Sequence, residues 1–256
     1  VGKDKEKLYE IIKNYDGLAI RSATKVTEKI LNNAEKLKVV GRAGIGVDNV
    51  DIETATSNGV IVMNTPFGNS VTTAEHAITM MMSLARQIPE ADKSTKSSLW
   101  EKSRFMGVEL TGKTIGVIGC GNIGTIVIDR AKGLRMKVLG YDPFLTDERA
   151  ESMGIDKVEL DVLFKNSDFI TIHTPLTEKT KNIINDKSIS LMKDSVRIIN
   201  CARGGLIDES ALLKALKDKK IAGAAIDVYI EEPAKDNPLF NFENVICTPH
   251  LGASTV

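Results

Sequence analysis

The segment Gly119-Cys120-Gly121-Asn122-Ile123-Gly124 constrains this chain more than any other. It follows an apolar run, Ile115-Gly116-Val117-Ile118, read as a strand over 114–118 and buried on both faces. A helix is expected directly after it, over 123–134. In that setting Gly119 permits a tight turn, Gly121 lets the backbone approach a pyrophosphate, and Gly124 lets the helix pack close to the strand. Exposed amides at the helix start, backed by the helix dipole, hold negative charge. The next strand, 137–141, ends at Asp142, 18 residues beyond Gly124. That is close to the ~20 residues of a dinucleotide-binding unit. A carboxylate there accepts hydrogen bonds from an adenosine ribose and repels a 2′-phosphate, so the expected cofactor is NAD rather than NADP.

Strands and helices alternate on both sides of this motif. On the N-terminal side, helices are expected over 3–14, 29–34 and 52–57, with strands over 18–20, 37–40 and 60–63. Residues 64–69 are rich in turn formers. One long helix is then expected over 72–98, bent at Pro89. Its Ala77, Met80, Met81, Leu84 and Ile88 recur at helical spacing and read as core. Beyond it, strands over 114–118, 137–141, 169–172, 195–200, 224–228 and 245–247 alternate with helices over 123–134, 147–153, 160–166 and 209–217. This order predicts an α/β protein: a doubly wound parallel sheet (Rossmann) with a second, smaller α/β lobe. The boundary is set near Asn69. Residues 1–69 form the small lobe, and 70–250 form the larger doubly wound domain with the dinucleotide motif. Three strands are few for an open sheet, so the small lobe is expected to be truncated.

Composition narrows the partners. Lys plus Arg and Asp plus Glu each total 34, and a net charge of zero argues against a nucleic-acid grip. No apolar run approaches the ~18 residues of a membrane-spanning helix. The three cysteines, Cys120, Cys201 and Cys247, are odd in number and lack CxxC spacing. They read as reduced thiols in a cytoplasmic protein. His76 has no metal-binding partner one turn on, so no metal is expected.

Three polar signals follow strand ends, where ligands bind in open parallel sheets. They are Asn200-Cys201-Ala202-Arg203-Gly204-Gly205, Glu231-Glu232-Pro233 and Thr248-Pro249-His250. Arginine clamps a carboxylate and polarises a carbonyl. Histidine exchanges a hydroxyl proton near neutral pH, and glutamate orients the imidazole and stabilises its charged form. These types suit hydride transfer at a 2-hydroxy acid.

With these motifs in hand, the chain resembles the NAD-dependent D-isomer-specific 2-hydroxyacid dehydrogenases over essentially its whole length. The resemblance also rests on Ile20-Arg21-Ser22-Ala23-Thr24-Lys25, Gly41-Arg42-Ala43-Gly44-Ile45-Gly46-Val47-Asp48-Asn49-Val50-Asp51 and Asn64-Thr65-Pro66. Residues 200–208, Ala225-Ile226-Asp227-Val228 and Pro249-His250-Leu251-Gly252-Ala253-Ser254-Thr255 extend it. It implies catalytic roles for Arg203, Glu232 and His250. It implies cofactor contacts at Asn122, Ile123, Asp142, Thr174, Pro175, Cys201, Asp227 and Gly252. The amides of Gly44, Ile45, Gly46 and Val47 are implied to hold the substrate carboxylate, with Arg21 and Arg42 on its phosphate side.

The implied reaction is NAD-dependent oxidation of 3-phospho-D-glycerate to 3-phosphooxypyruvate, in serine biosynthesis. Two alternatives stand: a glyoxylate, hydroxypyruvate or D-lactate reductase on the same scaffold, and a non-catalytic NAD(H) sensor. The resemblance further implies that 1–69, joined by 251–256, form the substrate-binding lobe, that 70–250 form the NAD-binding domain with a dimerisation helix, and that the chain is a homodimer through residues 70–110, with Trp100 as an anchor.

Overall fold

The computed structural model describes residues 4–255. Lys3, where the first helix was expected to begin, and Val256 lie outside them. The chain divides into two compact units, Val1–Ser70 and Val71–Val256.

The first unit holds α1 (Lys5–Ile11), a 3-10 turn (Ile12–Asn14), β1 (Gly17–Ile20), α2 (Glu28–Asn32), β2 (Val39–Arg42), α3 (Ile52–Ser57) and β3 (Ile61–Asn64). The strands pair in parallel in the order β1-β2-β3. Helix starts are fixed by side-chain caps: Asp4 accepts from the Lys7 amide and Asp51 from the Thr54 amide. Leu8, Ile12, Ile30, Leu31, Val40 and Ala55 form the core.

The second unit carries α4 (Ser70–Arg86), α5 (Ile88–Lys96), β4 (Thr114–Ile118), α6 (Asn122–Gly133), β5 (Lys137–Tyr141), α7 (Asp147–Met153) and β6 (Asp156–Lys157). It continues with α8 (Leu160–Asn166), β7 (Phe169–Ile172), α9 (Asp186–Leu191), β8 (Arg197–Asn200), α10 (Glu209–Lys217), β9 (Gly223–Ile226) and β10 (Val245–Cys247). All seven strands run parallel, in the order β10-β9-β8-β7-β4-β5-β6. The chain winds outward in opposite directions from β4 and β7, the doubly wound arrangement. Strand residues feed two cores on opposite faces. Ile170 and Ile198 join Leu163, Phe164 and Leu212, whereas Phe169 and Ile199 join Met80, Met81 and Ile128. Burial on both faces explains why these strands are apolar throughout.

Three expectations need correction. The long helix is two helices, and the break is Gln87, at φ 53° and ψ 41°, rather than Pro89. Pro89 sits in the first turn of α5, where a missing N–H costs nothing. Ile88 is therefore not core: it is 53% exposed, while Ala77, Met80, Met81 and Leu84 are buried as expected. The segment after His250 was assigned to the small lobe but belongs to the second unit, where the Leu251 and Gly252 amides donate to Asp227.

Candidate active site

The switch point between β4 and β7 brings two loops together. Gly119 ends β4 at φ +95°, and a Cβ there would meet the His173 backbone at 2.7 Å. A Cβ on Gly124 would run into the Gly119 carbonyl oxygen, so α6 starts closer to its strand than any other residue would permit. Gly121 caps α6 without a side-chain acceptor, and nothing lies within 4 Å of where its Cβ would be. The turn at Gly121 therefore leaves room for a ligand to approach the start of α6, at Asn122 and Ile123. Asp142 ends β5 and is pinned from behind: the Cys120 amide donates to Oδ2 (2.9 Å) and the Phe144 amide to Oδ1 (2.8 Å). Each oxygen keeps capacity for a further donor. Beyond β7, His173 Nδ1 and Thr174 Oγ1 are buried with no hydrogen-bond partner among the described residues, and Pro175 follows at the surface. Orphaned polar atoms beside an uncapped helix start and a fixed carboxylate fit a dinucleotide. Burial pushes the His173 imidazole down to about 4, so it is neutral. Burial, then Asp142, pushes the Cys120 thiol up to about 12, which leaves it inert as a nucleophile.

The ends of β8, β9 and β10 carry the second cluster. Arg203 follows β8 on a loop shaped by buried Asn200, which accepts from the Ala202 amide (3.0 Å) and donates to the Arg203 carbonyl (2.8 Å). Glu232 and His250 form a pair at 2.7 Å between Oε2 and Nδ1. The other carboxylate oxygen of Glu232 accepts from the Tyr229 amide (3.1 Å). The Glu232 bond raises the His250 pKa above its ordinary value, outweighing burial. Burial alone would raise Glu232, but its bonds to His250 and Tyr229, and the Arg203 charge, bring it below the ordinary carboxylate range. Cys201, Asp227 and Gly252 lie together: the Gly252 amide donates to Asp227 at 2.8 Å, and a Cβ on Gly252 would lie 3.7 Å from the Cys201 carbonyl oxygen.

In the first unit, Gly44 at φ +136° opens the loop of Gly44, Ile45, Gly46 and Val47 after β2. Its amide donates to Thr65 Oγ1 (2.7 Å), and Asn64 donates to the Ile45 carbonyl (2.6 Å). A Cβ on Gly44 would strike the Arg42 guanidinium, so the glycine makes room for that side chain to lie against the loop. Arg21 is exposed beyond β1, and its carbonyl accepts from Asn49 (3.1 Å).

The family model described as "D-isomer specific 2-hydroxyacid dehydrogenase, NAD binding domain" matches residues 78–252. The chain belongs to the D-isomer specific 2-hydroxyacid dehydrogenases. Among curated relatives, the D-3-phosphoglycerate dehydrogenase of Methanocaldococcus jannaschii is 54% identical over 255 residues, covering 99% of this chain and 49% of that protein. The D-3-phosphoglycerate dehydrogenase of Synechocystis is 51% identical over 254 residues, covering 99% of this chain and 46% of that protein. The chain thus spans about half the length of the curated relatives it matches. A crystal structure of D-lactate dehydrogenase from Aquifex aeolicus, complexed with NAD and lactic acid, superposes at a TM-score of 0.89. It is 31% identical, covering 96% of this chain and 79% of that one.

In this D-isomer specific 2-hydroxyacid dehydrogenase, sequence reasoning missed Asn200, Tyr229 and Thr248 as supporting residues. Asn200 and the Tyr229 amide bond within their own loops, to Ala202 and Arg203 and to Glu232, whereas Thr248 reaches Asp227, 21 residues back in sequence. His76, which the sequence offered only as a non-ligand, has its Nε2 3.3 Å from Asp227 Oδ1.

The His250–Glu232 pair gives a pH dependence with a defined sign. The contribution of His250, whose pKa is raised, is fully present below its ordinary 6.5 and is lost as pH rises through the raised value. That of Glu232, whose pKa is lowered, is present above its ordinary 4.5 and is lost as pH falls through the lowered value. The melting-temperature advantage of the native chain over His250→Gln is therefore expected to be greatest between pH 4.5 and 6.5 and to shrink on both sides. Thermal unfolding across pH checks it, and a flat difference would refute the pairing in solution.

Proposed function

We propose that this chain catalyses the NAD-dependent oxidation of 3-phospho-D-glycerate to 3-phosphooxypyruvate, within serine biosynthesis. The observation that carries the reading is the His250–Glu232 pair with the Arg203 charge acting on the same carboxylate. The names of the curated relatives supply the substrate.

His250 Nδ1 is held by Glu232, which leaves Nε2 to take the C2 hydroxyl proton. Glu232 stabilises the imidazolium that results. Arg203 presents a planar fork that binds the substrate carboxylate and polarises the C2 oxygen. Within the first unit, the loop of Gly44, Ile45, Gly46 and Val47 is the carboxylate-binding segment that the family resemblance implies, its Gly44 amide already donating to Thr65 Oγ1, and Arg21 and Arg42 are the implied cationic partners of a phosphate. The start of α6 with Gly119, Gly121 and Gly124 would hold the pyrophosphate of NAD, Asp142 its adenosine ribose, and Ile123, Thr174, Pro175, Cys201, Asp227 and Gly252 further parts. NAD, when bound, supplies the acceptor for the C2 hydride.

The test is NADH absorbance with NAD and 3-phosphoglycerate, with glycerate, lactate and buffer alongside. Rapid turnover of the phosphorylated acid alone is the expected result. Equal or faster turnover of lactate or glycerate would make the chain an oxidoreductase for unphosphorylated acids, and NADH binding without any turnover would make it a sensor.

A homodimer through residues 70–110 is proposed on its exposed apolar side chains. Trp100 is 87% and Met106 79% exposed, and Val71, Met82, Ile88 and Leu99 are exposed too. Sedimentation is expected to show a dimer that Trp100→Glu converts to monomer; an unchanged dimer would move the interface elsewhere. The three free cysteines support a reducing compartment, the cytoplasm. No helix among the described residues is long and apolar enough to cross a membrane.

A further inference from the structure

We propose that His76 is a positioning residue, which through the buried Asp227 carboxylate holds the loop that carries His250. This rests on the reading of His250 as the acid–base group.

Asp227 is fully buried, and the loop after β10 hangs from it. Its Oδ1 accepts from Thr248 Oγ1 (2.5 Å) and the Leu251 amide (2.7 Å), and its Oδ2 from the Gly252 amide (2.8 Å). Its backbone carbonyl accepts from the His250 amide at 2.8 Å. Four of the five residues from 248 to 252 are thus tied to one side chain or its carbonyl. The tie matters because His250 sits at φ 56°, in the left-handed region that a residue with a Cβ holds only when its surroundings dictate it.

A fully buried carboxylate needs donors for its oxygens, because one left unmet carries the full cost of its desolvation. His76 reaches in from α4 with Nε2 3.3 Å from Asp227 Oδ1 and 3.4 Å from Thr248 Oγ1. It contacts the carboxylate oxygen from which the loop hangs. Ligand atoms of His76, Cys201 and Asp227 lie within 4.8 Å of one another. That cluster suits hydrogen bonding better than a cation. The Asp227 oxygens are already taken up by donors, and burial, then Asp227, pushes the Cys201 thiol up. The groups that face the pair are therefore few. Asp227 and Cys201 lie against His76, and Glu232, Asp227 and Arg203 act on His250.

The chain holds three histidines, His76, His173 and His250, so each ring can be followed by NMR through a pH titration. His76→Gln keeps a donor near Asp227, and His250 is expected to titrate as in the native protein. In His76→Leu the donor is gone. The His250 midpoint is expected to fall toward that of an unpaired imidazole, and its Nδ1 proton bonded to Glu232 to lose its downfield signal. In the holoenzyme kcat should drop by about 10-fold, within the range that small misplacements cost. Should the leucine variant fail to fold, His76→Asn, too short to reach Asp227, takes its place with the same expectation. A His250 titration unchanged from the native one in the leucine or asparagine variant overturns the proposal. Normal turnover in His250→Ala would instead overturn the acid–base reading and leave the titration result standing, so the two failures are distinguishable.

Discussion

In the His250→Ala variant, kcat is expected to fall by about 10²–10⁴-fold while NADH binds as before, the usual worth of a positioned acid–base group. The binding half follows from where the side chain lies. Its ring is engaged with Glu232 and is 40% exposed, whereas the glycine turn and Asp142 lie at the ends of β4 and β5. The rate half follows from its chemistry. The Glu232 bond raises the imidazole pKa, so the ring holds a proton firmly when charged and presents Nε2 as a base when neutral. Glu232→Gln should cost less, because the amide still orients the ring but no longer stabilises its charge. It should also move the pH profile of kcat/KM to lower pH, since the lost partner is what raises His250. Stopped-flow hydride transfer with the variants measures both. Turnover near the native value in His250→Ala would remove His250 from the chemistry.

The fold was largely legible because its signals are local. The strand at Thr114–Ile118 and the helix start at Asn122 follow from an apolar run and three glycines within eleven residues. The seven-residue helix Asp147–Met153 and the nine-residue helix Glu209–Lys217 match their expected bounds, each with a side-chain cap from Thr146 or Asp208. What escaped was short or set by packing. The helix Asp186–Leu191 has only six residues, and its Asn185–Ser188 capping box was a readable signal that went unused. The two-residue strand Asp156–Lys157 is an edge added to β5 and has no apolar pattern of its own. Gln87 breaks the long helix in a conformation that propensity does not encode for glutamine. At the site, the sequence named Arg203, Glu232 and His250 but not their mutual geometry. Asp227 was named as a cofactor contact by resemblance; that its oxygens also accept from Thr248, Leu251 and Gly252 was not legible. A single buried carboxylate is silent in sequence because its donors come from α4 and from a loop more than twenty residues on.

The two glycines that flank Asn122 and Ile123 separate what holds the fold from what holds the ligand. In Gly124→Val the new side chain has no place to go: its Cβ would fall on the Gly119 carbonyl oxygen, backbone that cannot swing aside. Either α6 lifts from β4 or the turn opens. The expected cost is about 1–3 kcal/mol of stability, as for other overpacked sites, and NADH binding should be lost with the displaced helix start. Gly121→Ala is the opposite case. Its backbone, at φ −74° and ψ −153°, is open to alanine, and its Cβ would meet nothing within 4 Å. Stability should therefore change by no more than about 0.5 kcal/mol. Yet the methyl group would occupy the approach where a pyrophosphate meets the α6 amides. NADH affinity is expected to fall by at least about tenfold, equivalent to ~1.4 kcal/mol. Thermal unfolding and NADH fluorescence titration on the two variants read the two effects separately. If Gly121→Ala binds NADH as tightly as the native chain, the pyrophosphate does not lie over this turn. If it instead unfolds the second unit, the glycine is there for the fold.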